Sequence, residues 1–474
     1  MASGSRNGQR LWRAQRDQTS WDMICLDDLL SADHRARQVW AYVEGCDLSV
    51  LYEKIRAVEG GVGRAAIDPA ILMALWLYAT LEGVGSARLL DRLCSSDAAY
   101  RWICGGVGMN YHTLSDFRVE AGAVLDDLLT RSMAGLAQAG IVDLSCLGVD
   151  GVRVRASAGA SSFRRQPRLS ELHDLARQRV AELKAELESD PASNSRRKVE
   201  RDLREAEARA QRIEAAQKAA AAIEAERVAE AVKQRRRQPK NGKPPRGSTT
   251  DAQARVMAMA DGGFRPGYNL QFKTELTHGF VVGIEITNRA ADRGQLEAAV
   301  AEVERRYQVR PKRLLADSGY DSKDDIDAQH GKGIEVFCPV PRSRSKPVPA
   351  EAEPEIQAAP TEAVPAEAVP AEAVPAESVP AEAKPEAKKK PKVKKKPKAE
   401  EKPGVVAWHK RMAEEESTTI YARRITCERP HADVRNRGLY RFLVRGLDKV
   451  KAVALWHVTA YNFLQIQRLM PQAA

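Results

Sequence analysis

The chain has 474 residues and a formal net charge of +11, with 75 Lys and Arg against 64 Asp and Glu. This length allows several domains, and the basic balance favours a polyanionic partner such as nucleic acid or an anionic membrane surface. Seven cysteines without a C-x-x-C pair, and no run of ~18 apolar residues, argue against a disulfide framework, a zinc site and a membrane span, so we expect a cytoplasmic protein without a membrane partner.

The first part of the chain predicts a helical domain. Residues 1–20 have no apolar periodicity and predict a disordered tail. From residue 21 to 140, apolar residues recur at spacings of three and four, which is typical of helices. Asp68 followed by Pro69 is a helix-start signal before a nearly continuous apolar run. We predict a helical N-terminal domain, residues 21–140.

A strand and a helical hairpin follow. Alternating and β-branched residues in IVDLSCLGVDGVRVRA predict a strand with Asp150 near its end, within the first part of an α/β domain, residues 141–164. Residues 165–237 are charged and helical, with a break at Asp190 and Pro191. This pattern predicts an antiparallel helical hairpin inserted after the first strand.

Residues 238–340 are predicted to continue the α/β domain. Two strands joined by a turn at His278 and Gly279 precede a helix, a strand ending at Asp317, a short helix and a further strand. This order indicates a mixed α/β sheet. Because open α/β sheets bind ligands at the carboxyl ends of their strands, Asp150 and Asp317 are candidate site residues.

The last part of the chain begins with low complexity. Residues 341–404 carry AVPAE repeats and a lysine-rich run, which predict a disordered Pro/Ala/Lys spacer. Helical spacing then returns, so residues 405–474 are predicted to be the C-terminal helical part of the α/β domain. On a helix, Tyr421, Arg424, Glu428 and Arg435 fall on one face.

Three acidic residues stand out by position: Asp150, Asp317 and Glu428. Magnesium prefers oxygen ligands and binds through one or two carboxylates together with substrate phosphates. Two such ions about 4 Å apart assist phosphoryl transfer. An ordinary alternative for Glu428 is an i,i+4 ion pair with Arg424.

Several stretches resemble the DDE transposases of bacterial insertion sequences. They are GVDGVRVRASA, STTDAQARVMAMADGGFRPGYNLQF, LLADSGYDS, and a Y-x2-R-x3-E face followed by RGLYRFLVRGLDKV. The resemblance covers nearly the whole chain except the spacer, and includes NYHTLSDFR and the helical insertion. It implies that the helical N-terminal domain, residues 21–140, serves DNA binding or assembly. The signature of this family continues to a lysine, Y-x2-R-x3-E-x6-K, and Arg435 holds that position here.

The resemblance implies a ribonuclease H-like α/β fold and a catalytic triad of Asp150, Asp317 and Glu428. These carboxylates would hold two Mg²⁺ ions, with Mn²⁺ as the alternative. Water would cut the phosphodiester at the element's end, and the freed 3′-OH would attack target DNA. DNA-backbone contacts would fall to Tyr421, Arg424 and Arg435, in a homodimer bound to the terminal inverted repeats of double-stranded DNA.

Other interpretations remain open at this stage. A catalytically inactive, DNA-binding remnant of a transposase would keep the fold and the basic surface, whereas a basic coiled-coil scaffold would have no sheet. The sequence assigns structural, turn or surface roles to the remaining candidates, namely Asp251, Asp261, Asp321, Glu285, His112, His278 and His431.

Overall fold

The computed structural model describes residues 23, 25–56, 65–189, 196–233, 244–341 and 401–469. The chain divides into two units, residues 1–340 with 403–474, and residues 341–402. The predicted N-terminal tail lies outside the described residues, and so does nearly all of the predicted spacer. All helices and strands given below belong to the first unit.

The N-terminal part of the chain is helical. Asp68 precedes α3, and its carboxylate accepts a hydrogen bond from the N–H of Ala70, which caps the helix as the sequence predicts. Helix α3 is buried on all sides because its apolar residues surround the whole helix. The helices are α1 (Arg35–Glu44), α2 (Ser49–Tyr52), α3 (Pro69–Leu81), α4 (Ala87–Ser96), α5 (Ala98–Cys104), α6 (Tyr111–Glu120) and α7 (Gly122–Gln138).

A mixed sheet forms the centre of the remaining chain. Its strands are β1 (Cys146–Arg155), β4 (Arg255–Ala258), β5 (Phe264–Glu275), β6 (Val281–Thr287), β7 (Arg313–Ala316) and β8 (Glu335–Phe337). The order is β4-β5-β1-β7-β8, and β6 also pairs with β5. Pairing is parallel between β1, β7 and β8 and antiparallel from β1 through β5 to β6. The predicted mixed α/β sheet is therefore confirmed.

The predicted helical hairpin is present between β1 and β4. It consists of α8 (Gln166–Ser189) and α9 (Arg196–Lys233), which pack on each other through a small apolar cluster. Two short antiparallel strands, β2 (Phe163–Arg165) and β3 (Arg246–Ser248), join at its root.

Helices cover the sheet. They are α10 (Leu296–Tyr307), α11 (Lys323–Gly331), α12 (Pro403–Ala413), α13 (Glu415–Ala422), α14 (Glu428–Asn436) and α15 (Leu447–Leu469). Helix α15 packs against α3, α7 and β6, so the N-terminal helices and the sheet share one core.

A buried ionic network also joins the N-terminal helices to the sheet. Lys273 on β5 pairs with Glu302 on α10, and Arg306 bridges Glu302 to Asp126 on α7. Burial by itself raises the pKa of Glu302, but Lys273 and Arg306 lower it to about 2. Each charge thus depends on its partner, because an unpaired buried ion is costly.

The chain returns to the sheet through α12, which is fixed by three hydrogen bonds. The indole of Trp408 donates to the carbonyl of Cys338 (2.8 Å), and Arg411 donates to the carbonyl of Val336 (3.1 Å). The N–H of Gly404 donates to Asp327 on α11 (2.9 Å). Helix α12 is therefore attached where β8 ends.

Candidate active site

Asp150 and Asp317 occupy matching positions on neighbouring strands. The parallel pairing of β1 with β7 ends at Val149 and Ala316, and each aspartate follows directly. The expectation that Asp150 lies near the end of its strand is wrong, because β1 continues to Arg155 by pairing antiparallel with β5. Asp150 instead marks the end of the parallel part of the sheet, which keeps it level with Asp317.

A glycine brings the C-terminal helices onto this strand. Gly148 lies two residues before Asp150, on the same face of β1. A methyl group there would collide with Sγ of Cys427 and lie 2.9 Å from Cδ2 of Leu276. Cys427 directly precedes Glu428, so this close approach places the start of α14 over Asp150.

The segment that carries Glu428 is not one continuous helix, contrary to the sequence interpretation. Helix α13 ends at Ala422, a 3₁₀ segment spans Arg423–Cys427, and α14 begins at Glu428. Pro430 supplies the reason, because proline has no N–H for the carbonyl four residues earlier and its ring clashes with that carbonyl. The change of helical period alters which side chains share a face.

Asp150 is buried and bonded to an arginine. Its Oδ2 accepts a hydrogen bond from Arg424 (2.7 Å), and its Oδ1 accepts one from the N–H of Gly151 (2.8 Å). Burial raises the pKa of Asp150 to about 6; Arg424 and the Gly151 N–H oppose this, and the nearby carboxylates of Asp317 and Glu428 add to it. The three predicted catalytic carboxylates are thus electrostatic neighbours.

The other predicted site residues differ in exposure. Glu428 is exposed, and its Oε1 lies 3.7 Å from Arg424. Arg424 is mostly buried between Glu428 and Asp150, so in this structure its guanidinium is engaged by carboxylates. Tyr421 is half-buried, and burial raises the pKa of its phenol; Arg424 opposes this, while Asp317 and Asp150 add to it. Arg435 is exposed in the last turn of α14.

His431 is a site residue that the sequence interpretation placed on a turn or the surface. It is buried, with 7% of its surface exposed, and its ring stacks at a tilt on Phe272, 5.1 Å between centroids. Its Nδ1 lies 3.6 Å from Oδ2 of Asp150. Burial, with Arg435 and Arg424 nearby, lowers the pKa of His431 to about 3, which keeps the imidazole neutral.

Among the described residues, one group of three or more His, Cys, Asp or Glu side chains could hold a metal ion: Asp150, Glu428 and His431. Each offers one ligand atom, and these atoms lie within 4.8 Å of one another. Asp317 stands outside this group, and its Oδ1 accepts a hydrogen bond from the N–H of Gly319 (2.8 Å). Carboxylate oxygens and a neutral imidazole are chemically suited to divalent ions.

A second, largely buried carboxylate, Asp292, lies against the opposite face of β1, and the sequence did not single it out. It accepts hydrogen bonds from Asn269 and Gln271 (both 2.7 Å) and from Arg153 (3.1 Å). Gln271 also accepts a hydrogen bond from Tyr320, three residues after Asp317. This network therefore fixes the turn that follows β7. It comes from a loop between β6 and α10 without any periodic pattern, so the sequence offered no signal for it.

Two family models match the chain. The model described as "Transposase DDE domain" matches residues 237–463, and the model described as "Transposase domain (DUF772)" matches residues 24–120. The first match includes Asp317 and Glu428 but not Asp150, and the second falls on the N-terminal helices. No curated protein and no solved structure matches the chain significantly. The helices of the described residues include none with the length and apolar character of a membrane span.

The matches and the architecture agree. The two matched ranges together span more than half of the chain, and both belong to transposase domains. The helical N-terminal region and the mixed sheet have the α/β, ribonuclease H-like form that the sequence resemblance implies. The chain is a member of the insertion-sequence DDE transposases.

Proposed function

We propose that this transposase catalyses Mg²⁺-dependent cleavage and strand transfer at the ends of its insertion sequence. The observation that supports the proposal is twofold: Asp150 and Asp317 directly follow the parallel-paired residues of β1 and β7, and Arg424 lies between Asp150 and Glu428. Asp150, Asp317 and Glu428 are the proposed metal ligands and catalytic residues. Relatives in this family typically use divalent metals.

The residues present fit such ions. Burial is the main reason for the raised pKa of Asp150, and the carboxylates of Asp317 and Glu428 add to it; a bound cation would offset their negative charge. Two bound Mg²⁺ ions would activate the attacking oxygen and stabilise the leaving oxygen of an in-line displacement. Mg²⁺ takes oxygen ligands and leaves room for substrate phosphates.

The reaction has two displacements at phosphorus. In cleavage, the oxygen of water bonds to the phosphorus at the element's end, and the bond to the 3′ oxygen breaks. That oxygen takes up a proton and becomes a free 3′-OH. In strand transfer, the 3′-OH bonds to a target phosphorus and displaces the neighbouring 3′ oxygen of the target strand. The protein's own residues position both strands and hold the developing charge.

Tyr421, Arg424 and Arg435 are proposed to contact the DNA backbone beside the carboxylates. Arg424 is bonded to Asp150 without DNA, so this role requires its guanidinium to turn toward a phosphate. Tyr421 lies three residues before Arg424, and Arg435 is exposed in the last turn of α14, near enough to His431 to help lower its pKa.

The root of the helical hairpin offers a further DNA contact. Arg209 and Arg212 on α9 line a cavity of about 380 Å³ together with Arg445, Thr249 and Thr250. Its lining among the described residues includes no acidic side chain, so the cavity suits the phosphates of a DNA backbone. We propose that this cavity binds double-stranded DNA, either at the terminal inverted repeats or at the target. We further propose that the protein acts as a homodimer in the cytoplasm, where its seven free thiols remain reduced.

The test is Asp150→Asn in the full-length protein with terminal-repeat DNA. We expect Mg²⁺-dependent cleavage to be lost while DNA binding is retained, since the amide keeps the size of the side chain but not its charge. Asp261→Asn is the matched control, because Asp261 is an exposed partner of Arg155. Unchanged cleavage by Asp150→Asn would contradict the proposal. An inactive DNA-binding remnant, the alternative, predicts binding without cleavage by any of these proteins.

A further inference from the structure

His431 occupies a position where an apolar side chain would pack as well. Its ring lies on Phe272, and less than a tenth of its surface is exposed. Its Nε2 is buried and has no hydrogen-bond partner among the described residues. Burying a polar atom without a partner is unfavourable, so packing alone does not account for an imidazole here.

The other ring nitrogen faces the carboxylates. Nδ1 lies 3.6 Å from Oδ2 of Asp150, which is longer than a hydrogen bond. Two ligands of one ion, each bonded at about 2.1 Å, lie about 3 to 4 Å apart. The separation of Nδ1 from Oδ2 falls in that range, and Glu428 completes the group within 4.8 Å.

We propose that Nδ1 of His431 is a nitrogen ligand of the divalent ion held by Asp150 and Glu428, which makes the site select Mn²⁺ over Mg²⁺. Imidazole nitrogen suits transition metals, whereas Mg²⁺ prefers oxygen ligands. Replacing one oxygen by nitrogen therefore favours Mn²⁺. The inference rests on the proposed function for the carboxylates and adds a ligand and an ion preference to it.

Arg424 shares the oxygen that faces His431. Its guanidinium donates to Oδ2 of Asp150 and lies 3.7 Å from Glu428, so it is the cation beside the two carboxylates in this structure. An ion bound to Oδ2 would take the place of that hydrogen bond and free Arg424. Metal binding and release of Arg424 are thus expected to occur together.

The experiment measures metal binding to the full-length protein without DNA. Pulsed electron paramagnetic resonance of the Mn²⁺-loaded protein detects a ¹⁴N nucleus bonded to the ion. We expect this coupling in the wild type and its loss in His431→Phe, in which an aromatic ring still packs on Phe272. The affinity for Mn²⁺ should fall at least about tenfold, and that for Mg²⁺ less than about threefold.

His457→Phe is the matched control. His457 is equally buried, and its Nδ1 also lacks a hydrogen-bond partner in the described part of the chain, but it is not in the carboxylate group. We expect this variant to keep both the nitrogen coupling and the ratio of Mn²⁺ to Mg²⁺ affinity. His431→Gln, which offers an oxygen, provides a second variant should His431→Phe fail to fold.

Absence of nitrogen coupling in the Mn²⁺-loaded wild type would overturn the inference, as would coupling that persists in a folded His431→Phe protein. These outcomes are separate from the proposed function. Nitrogen coupling without DNA cleavage would support the ligand and contradict the transposition activity. Metal-dependent DNA cleavage without nitrogen coupling would support the transposition activity and contradict the nitrogen ligand.

Discussion

The contact between Gly148 and Cys427 predicts that one added methyl group disrupts the site. In Gly148→Ala, the methyl collides with Sγ of Cys427, and nonbonded heavy atoms require about 3.5 to 4 Å. Strand and helix must therefore separate by about 1 Å or more, which moves the neighbouring Glu428 away from Asp150. Overpacking of this kind costs about 1 to 3 kcal/mol of stability, and a misplacement of about 1 Å lowers catalysis by about 100-fold.

The assay compares urea denaturation, Mn²⁺ binding and cleavage of terminal-repeat DNA. Gly148→Ala should lose far more cleavage activity than its change in stability explains. Removing the sulfur in Gly148→Ala/Cys427→Ala should restore most of the activity, because the methyl then has space. Gly135→Ala serves as control, since Gly135 lies on α7 with open space around the added methyl. Wild-type cleavage by Gly148→Ala, or a double variant no better than the single one, would refute this reasoning.

Three further predictions follow from charge. Lys273→Met leaves Glu302 with one fewer buried partner and should lower the free energy of unfolding by about 3 kcal/mol in urea denaturation. In EDTA, which removes metal ions, the pKa of Asp150 is about 6 in the folded state and 3.8 in the unfolded state. The free energy of unfolding of the wild type therefore falls as the pH rises from the lower to the higher of these two pKa values. The free energy of unfolding of Asp150→Asn, relative to that of the wild type, should therefore rise by about 2 to 3 kcal/mol between pH 4 and pH 7. Arg209→Ser/Arg212→Ser should reduce the slope of log affinity for DNA against log salt by about two.

Each of these has a contradicting outcome. A loss below about 1 kcal/mol in Lys273→Met would mean that the buried pair contributes little beyond its desolvation cost. A stability difference between Asp150→Asn and wild type that is constant with pH would show that Asp150 has an ordinary pKa in the folded state. An unchanged salt slope would place the DNA away from the root of the hairpin. Arg179→Ser, a substitution on α8 of an arginine already paired with Glu182, is the control for that measurement.

Local patterns predicted most of the elements. The strand pair β5 and β6, the capped start of α3 and the helical hairpin each depend on residues close in sequence, so periodicity and turn residues reveal them. The level placement of Asp150 and Asp317 was also predictable, although Asp150 lies inside β1, because each directly follows the parallel-paired residues of β1 and β7.

The other features of the site depend on contacts between distant parts of the chain. The burial of His431 follows from the close approach of α14 to β1, which requires Gly148, and no local pattern connects the two positions. The break before α14 did have a local signal in Pro430, whose missing N–H ends the α-helical pattern. The bond between Arg424 and Asp150 is likewise visible only once the strand and the helix are together.

The attachment of α12 to β8 and α11 determines how the third carboxylate is held in place. Because Trp408, Arg411 and Gly404 bond to the sheet and to α11, Glu428 is positioned by contacts and not by the connection formed by residues 341–402. Shortening that connection from about 60 to about 15 residues would change its closure entropy by only about 1.2 kcal/mol. The length of this stretch is thus only weakly constrained by the stability of the fold, and we expect the two sides of it to reassemble when produced as separate polypeptides.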